Sequence, residues 1–179
     1  MYSVIIDKKF KDTDAVKALY NSSFPADERI PFDTLADGDD ANGDFYSFYD
    51  NEELCGIAYI YTDGDLSFLF YLAVSENMRG MGYGSKILSH ISELKPGNRI
   101  ILDIEKTEKT AANYLQRKRR KEFYLRNGYE ESGIFYSVFG VDYELLIKNG
   151  SIVISELDAI NKKLWSKKNG NAEITYRTD

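Results

Sequence analysis

Apolar positions along the chain form continuous runs and helical repeats, and the clearest example of each stands next to the other. The run Leu66–Val74 has the length and composition of a buried strand. A glycine-rich stretch follows, and then apolar residues recur at helical spacing at Ile87, Leu88, Ile91 and Leu94. Lys95-Pro96-Gly97 ends the repeat. The pattern therefore predicts a strand, a glycine loop and a helix in that order.

The same patterns predict the other elements. Strands are predicted at 2–6, 45–50, 54–61, 99–105, 134–139 and 142–147. Helices are predicted to begin at Asp12 or Thr13, at Pro31, at Thr110 and at Ser155, the last with the spacing of a capping box. The helix from Thr110 is expected to reach Asn127, before Gly128. Residues 167–179 are expected to fray or to add to an edge of the sheet. A right-handed crossover would make the strand at 99–105 parallel to the strand Leu66–Val74.

The glycine loop, Gly80-Met81-Gly82-Tyr83-Gly84, has the features of an anion site. The start of a helix leaves backbone N–H groups unpaired and carries a partial positive charge. Glycines let a phosphate reach those groups because no Cβ stands in the way. Arg79 adds a cation that can fork onto phosphate oxygens. A plain strand-to-helix turn would need one glycine rather than three.

Two common nucleotide motifs fit this loop poorly. A mononucleotide P-loop needs one more residue between its glycines, and it needs lysine before serine, whereas Ser85 precedes Lys86 here. A dinucleotide loop needs G-x-G-x-x-G, and Ser85 occupies the place of its last glycine. Asp103 does lie about where a ribose-binding acid would fall, so this segment alone leaves the dinucleotide alternative open.

The loop does match R-x-x-G-x-G, placed five residues after the valine that closes a strand, through Val74, Arg79, Gly82 and Gly84. This resembles the acyl-CoA loop of the GNAT superfamily of N-acetyltransferases. The resemblance implies that the coenzyme A pyrophosphate is held at Arg79, Gly80, Met81, Gly82, Tyr83, Gly84 and Ser85. It also implies that backbone groups of Leu72, Ala73 and Val74 pair with the pantetheine arm.

The order of the elements resembles the same superfamily over residues 1–148. The resemblance implies an α/β (α+β) fold with a mixed, mostly antiparallel central sheet of about seven strands. Helices flank this sheet, and it is splayed at an acyl-CoA cleft. Residues 149–179 would be a C-terminal helical extension of the same domain. A dinucleotide-binding fold would place its glycine loop after the first strand rather than after a meander, which disfavours that alternative.

A second group of residues lies in the helix predicted from Thr110. Asn113, Arg117, Arg120 and Tyr124 are spaced by four, three and four residues and so share one face. The end of this helix, from Phe123 to Tyr129, resembles the segment whose tyrosine sits near the coenzyme sulfur, which implies that role for Tyr124. Asn113, Arg117 and Arg120 are then candidates for coenzyme contacts. The alternative for the basic residues is a solvated face of the helix, and the alternative for Tyr124 is an aromatic residue of the core.

Transfer of an acyl group to an amine needs a base, because an amine of pKa near 10.4 is almost entirely protonated at pH 7. Glu105 ends the strand beside the loop strand and is the first candidate, with Asp103, Glu28 and a water chain as competitors. Tyr124 is the candidate that assists departure of the thiol. The predicted catalytic residues are therefore Tyr124 and Glu105.

Composition limits the classes of partner and ligand that the protein is expected to bind. The 179 residues carry a net charge of −6, which disfavours nucleic acid. The single cysteine, Cys55, and the single histidine, His90, disfavour thiolate or multi-histidine metal sites, and the acidic loop 37–44 lacks the closing glutamate of a calcium loop. No signal peptide or membrane-length apolar run is present, so a cytoplasmic protein without a metal is expected.

The predicted function is acetyl transfer from acetyl-CoA, as cosubstrate, to a small-molecule or peptide amine. Segment 24–36 would rim the acceptor site by resemblance, and acidity over 27–54 suggests a cationic acceptor. The edge near Ile147 and the C-terminal helix could support a homodimer. Two alternatives stay open: an acyl-CoA-binding module without transfer activity, and a nucleotide-dependent oxidoreductase.

Overall fold

Eight strands and five α-helices make up the part of the chain that the computed structural model describes, which is residues 1–6, 13–26, 28–168 and 173–178. The strands are β1 Tyr2–Ile5, β2 Gly43–Asp50, β3 Glu53–Asp63, β4 Leu66–Val74, β5 Arg99–Glu105, β6 Glu130–Val138, β7 Val141–Lys148 and β8 Ile174–Thr178. The helices are α1 Thr13–Ser23, α2 Phe32–Ala36, α3 Tyr83–Leu94, α4 Tyr114–Arg126 and α5 Ile154–Trp165.

The strands form a mixed sheet in the order β1-β2-β3-β4-β5-β7-β6-β8. The registers of β1 with β2, β2 with β3, β5 with β7, and β6 with β7 and β8 are antiparallel. β4 and β5 are parallel, as the crossover rule predicts. The predicted fold class is confirmed. The strand beyond the expected seven is β8, which adds to the edge of the sheet beside β6, one of the two predicted alternatives.

Residue contacts divide the chain into two units that share β4. The first unit holds Met1–Gly64 and Leu69–Pro96, and the second holds Asp65–Phe68 and Gly97–Asp179. The parallel register belongs to the second unit, where Leu66, Ser67 and Phe68 pair with Arg99, Ile100 and Ile101. The later residues of β4, which include those predicted to bind pantetheine, belong to the first unit.

The first unit packs α3 closely onto two strands, and Gly56 makes that approach possible. A Cβ at Gly56 would lie 2.5 Å from the carbonyl oxygen of Ala73 and 2.7 Å from Cδ1 of Ile87. Any larger residue would push α3 away from β3 and β4. The neighbouring Cys55 is fully buried and is a small residue of this core. The position of α3, and so of its first turn, is therefore set by the core.

The second unit is organised around β5. Ile100, Ile101, Leu102 and Ile104 are buried in that strand, and α5 buries Leu157, Ile160 and Leu164. Arg99 joins the two, since its guanidinium donates to Asp65 at 2.9 and 3.0 Å and to Glu156 at 2.9 Å. The start of β5 is therefore tied both to the loop before β4 and to the first turn of α5.

β4 and β5 begin and end where the sequence predicted, whereas several other boundaries differ from the prediction. α4 begins at Tyr114 rather than Thr110, so Asn113 stands before the helix as its N-cap and not within it. The prediction that Ser155 caps the last helix is wrong. Val153 is the N-cap, and Glu156 accepts its backbone N–H at 3.0 Å, which supplies the carboxylate half of a capping box. The alternative cap at Asp12 lies outside the described residues.

Candidate functional site

The loop between β4 and α3 depends on two glycines for its conformation. Gly80 has a φ of 77° and Gly82 a φ of 84°, both in the left-handed region that other residues adopt only at a cost. A Cβ at either position would meet no atom within 4 Å. Backbone conformation, rather than crowding by the protein, is therefore what requires glycine, and the space beside the loop is open.

The first turn of α3 presents backbone donors that the protein does not use. Gly82 is the N-cap and has no side chain to accept them, and the first helical hydrogen bond runs from Lys86 N–H to Gly82 O at 3.2 Å. Within the described residues, the N–H groups of Gly82, Tyr83, Gly84 and Ser85 donate to no protein acceptor. The helix dipole adds about half a positive charge at this end. This arrangement suits a diphosphate.

Arg79 stands beside these donors with an exposed guanidinium. Its Nε donates to Val74 O at 3.2 Å, which ties the side chain to the end of β4. No carboxylate among the described residues forms an ion pair with it. Its outer nitrogens are therefore available to an anionic ligand, as the sequence suggested.

Tyr83 fixes the first turn of α3 from the side. Its hydroxyl donates to Asp50 Oδ2 at 2.8 Å, and the ammonium of Lys86 lies 4.5 Å from the ring centroid. The shared proton raises the pKa of the Tyr83 phenol and lowers the pKa of the Asp50 carboxyl. The turn that carries the four open donors is thus anchored to β2.

Residues 72–74 lie beyond the parallel register of β4. That register covers three residue pairs and stops at Phe68. Ala73 is buried, whereas Leu72 and Val74 are partly exposed. Directly after the strand, Ser75 N–H donates to Cys55 O at 2.9 Å, which holds the end of β4 against β3. The backbone of 72–74 is therefore fixed on the β3 side and lies outside the described pairing with β5.

Tyr124 lies near the end of α4 with its ring against two other aromatic rings. The ring centroids of Phe123 and Tyr129 are 5.1 and 5.7 Å away. Its hydroxyl has no hydrogen-bond partner among the described residues. Part of the residue reaches solvent, yet desolvation raises the pKa of the phenol to about 12. The charge of Arg120 opposes this rise, and the charge of Asp103 adds to it. The phenol is therefore protonated and its donor is unused.

Glu105, Arg117 and Asn113 are brought together by the structure. Arg117 Nη2 lies 2.7 Å from Glu105 Oε1, its Nη1 donates to Lys106 O at 2.9 Å, and its Nε donates to Asn113 Oδ1 at 2.7 Å. Arg120 Nη1 lies 3.6 Å from Glu105 Oε2. Three nitrogens of Arg117 therefore have acceptors within the protein, and the Glu105 carboxylate holds two guanidinium groups.

The carboxylate of Asp103, the other candidate base on β5, also accepts a hydrogen bond within the protein. The hydroxyl of the fully buried Tyr136 donates to its carboxylate. Burial first, and then the negative charge of Asp103, raise the pKa of Tyr136 well above its usual value. The sequence did not reveal this bond, because Tyr136 reaches Asp103 from another strand.

The segment between α1 and α2 is fastened by two tyrosines that sequence reasoning also missed. Tyr71, on β4, accepts from Ile30 N–H and donates to Glu28 O, both at 2.9 Å. Tyr20, on α1, donates to Ile30 O at 2.8 Å. Tyr71 directly precedes the predicted pantetheine-binding residues, so this segment is tied to the same strand.

No group of three or more potential metal ligands occurs among the described residues. No helix in the described part of the chain is long and apolar enough to cross a membrane.

Comparison with known proteins gives one family and many structures. The family model described as an acetyltransferase (GNAT) domain matches residues 41–131, just over half of the chain. No curated protein matches the chain in sequence. A putative GNAT-family acetyltransferase from Bacteroides thetaiotaomicron is similar in structure, with a TM-score of 0.75 and 19% identity, over 93% of this chain and 97% of the other.

Two further solved structures are similar in fold. The aminoglycoside 6'-N-acetyltransferase from Enterococcus faecium has a TM-score of 0.63 and 15% identity, over 83% of this chain and 96% of its own. A GNAT acetyltransferase from Elizabethkingia anophelis, with acetyl-CoA bound, has a TM-score of 0.57 and 13% identity, over 82% of this chain and 96% of its own. At these identities the likeness is one of fold.

Proposed function

The chain belongs to the GNAT acetyltransferase family, and on that premise we propose that it transfers an acetyl or other small acyl group from acetyl-CoA to a primary amine. The amine attacks the thioester directly while both substrates are bound. One observation carries the proposal: the four open N–H groups from Gly82 to Ser85, with Arg79 beside them. Donors fixed in this way at a helix start are complementary to the coenzyme A pyrophosphate.

The remaining coenzyme contacts follow from that position. Backbone groups of Leu72, Ala73 and Val74 pair with the pantetheine arm, which brings the thioester along β4. A free strand N–H near Leu72 or Ala73 then stabilises the oxyanion that develops on the carbonyl oxygen. Of the two predicted arginines, we favour Arg120 for a phosphate contact, because 43% of its side chain is exposed and its contact with Glu105 is long, at 3.6 Å.

The amine must lose a proton before it attacks. At pH 7, only about one in 2,500 molecules of an amine with a pKa near 10.4 is neutral. A base therefore contributes typically about 10²–10⁴-fold. The contacts of Glu105 count against it as that base, since both of its carboxylate oxygens face guanidinium groups, of Arg117 at 2.7 Å and of Arg120 at 3.6 Å. Asp103, Glu28 and a water chain remain the competing proposals.

The acceptor is proposed to bind beside the segment that Tyr71 and Tyr20 fasten. Residues 24–36 would form one wall of its site, and the acidity of 27–54 favours a cationic amine. The division at residue 148, a cytoplasmic location and a homodimer stay predictions of the sequence.

Thiol release tests the proposal directly. The protein is incubated with acetyl-CoA and a panel of amines that includes a polyamine, an aminoglycoside and a lysine peptide, and free thiol is followed over time. We expect release that depends on both the protein and one class of amine. Heat of binding from coenzyme A without thiol release over the panel would favour the binding module. A rise in melting temperature with NAD(P), and none with coenzyme A, would favour the oxidoreductase.

A further inference from the structure

α4 is held in place differently from the other long helices. None of its 13 residues is buried, and seven of them are charged, from Arg117 to Glu122 and at Arg126. By contrast, α3 and α5 each bury a row of apolar residues. Most helical stability in proteins comes from packing an apolar face. Since no residue of α4 is fully buried, apolar packing holds this helix less firmly than α3 or α5, and polar contacts contribute more to its position.

Two charged anchors provide those contacts. The first is Arg117, which reaches Glu105 at the end of β5 and the carbonyl oxygen of Lys106 just beyond it. The second is Lys121, one turn later, whose ammonium lies 2.5 Å from Glu144 and 2.8 Å from Glu131. Both cations are mostly shielded, with 20% of each side chain exposed, so their ion pairs are screened less than surface pairs.

The first anchor also organises the start of the helix. Asn113 is the N-cap, yet its side chain caps no backbone N–H and accepts instead from Arg117 Nε. Arg117 therefore holds the turn before α4 and the end of β5 at once. Without the Glu105 carboxylate, the guanidinium would lose its only close charged partner among the described residues.

We propose that Glu105 is a positioning residue, which acts through Arg117 to set α4 and with it the Tyr124 hydroxyl, the group to which the family resemblance assigns the leaving thiol. Arg117 and Tyr124 are seven residues apart, about two helical turns and roughly 10 Å along the axis, so they lie on the same side of α4. The inference rests on the proposed function, and it assigns neither Glu105 to proton abstraction nor Arg117 to phosphate binding.

The hydroxyl of Tyr124 is sensitive to such placement. Within the described residues, no hydrogen bond holds it, so its position follows from the helix and from ring packing against Phe123 and Tyr129. A displacement of about 1 Å at a reacting group can cost about 10²-fold in rate. Loss of the anchor should therefore lower turnover while coenzyme binding at α3 stays intact.

The test compares Glu105→Gln with Glu122→Gln. Glu122 is the matched control, because it is a carboxylate on α4 itself whose pair with Lys118 is long, at 3.8 Å, and exposed. We expect Glu105→Gln to lower kcat about 10- to 100-fold, to keep the acidic limb of the pH–rate profile, and to leave the Kd for acetyl-CoA unchanged. Adding Tyr124→Phe to Glu105→Gln should cost little more, since the first change already removes the hydroxyl's benefit. Glu122→Gln should match the wild type.

Three results would overturn the inference. They are loss of the acidic limb in Glu105→Gln, unchanged turnover in Glu105→Gln, and a double variant whose loss in turnover is the product of the losses in Glu105→Gln and Tyr124→Phe. A readout without turnover separates this failure from failure of the proposed function. With 3-fluorotyrosine at position 124, Glu105→Gln should shift the ¹⁹F resonance and Glu122→Gln should not. If the wild type releases no thiol, the proposed function fails, while an unmoved ¹⁹F resonance would reject the positioning role by itself.

Discussion

Replacing Tyr124 by phenylalanine should slow turnover by about 10- to 150-fold, and the structure explains why the effect is no larger. Desolvation raises the pKa of the phenol to about 12. A thiol has a pKa near 8.5, so full proton transfer from the phenol to the thiolate is uphill by about 3.5 pK units, or about 5 kcal/mol. We therefore propose that Tyr124 acts on the leaving thiolate as a hydrogen-bond donor more than as an acid.

A hydrogen bond to a charged group contributes about 1.5–3 kcal/mol, and this range sets the expected loss. Because the raised pKa lies above the working range, the hydroxyl stays protonated, and no basic limb in the pH–rate profile below about pH 11 should come from Tyr124. Steady-state thiol release gives kcat, and calorimetry gives the Kd for acetyl-CoA, which should not change.

Tyr114→Phe is the matched control, because Tyr114 lies in the first turn of the same helix. It should turn over like the wild type. Unchanged turnover in Tyr124→Phe would remove this residue from the mechanism. A loss of about 10⁴-fold or more would instead mean that the hydroxyl transfers its proton fully, which contradicts the arithmetic from its pKa.

Three further predictions follow from single contacts. Arg79→Gln should weaken coenzyme A binding about 10- to 150-fold in calorimetry, since it removes charge-assisted bonds to phosphate, while the melting temperature of the free protein stays the same. Tyr71→Phe leaves the buried Ile30 N–H without an acceptor, so urea denaturation should show a loss of about 1–3 kcal/mol, and KM for the amine should rise more than KM for acetyl-CoA. The hydrogen bond from Arg99 lowers the pKa of Glu156 in the folded protein below its unfolded value, which is near 4.3. The pair therefore stabilises the fold fully above the unfolded pKa, and the contribution is lost as the pH falls through the lower, folded pKa. In a pH series of denaturation, Arg99→Met should therefore be less stable than the wild type at pH 7, and the gap should narrow below about pH 4.

Local sequence patterns predicted the segment from β4 to α3 well because everything that defines it is close in the chain. The apolar run sets the ends of the strand, and the glycines set the loop. The start of α4 was placed too early, since Ala111 and Ala112 favour a helix by propensity. In the structure both alanines stand before the helix, and Arg117 binds Asn113, the N-cap, and the carbonyl oxygen of Lys106.

The partners of the candidate site residues could not be predicted from spacing. A basic residue on a predicted helix looks the same whether it faces water or a carboxylate, and Arg117 meets Glu105 across a turn, twelve residues away. The bond from Tyr136 to Asp103 spans 33 residues and depends on strand order. These contacts arise from topology, so they become visible once β5, β6 and β7 are placed in the sheet.

The proposed function depends above all on the backbone N–H groups at the start of α3, which we propose hold the pyrophosphate of coenzyme A. The most direct measurement is an NMR titration of backbone amide resonances with coenzyme A and, separately, with pantetheine, which lacks the phosphates. We expect coenzyme A to move the amide resonances of Gly82, Tyr83, Gly84 and Ser85 and pantetheine to leave them in place. If coenzyme A saturates the protein while these four resonances stay unmoved, the pyrophosphate does not bind there.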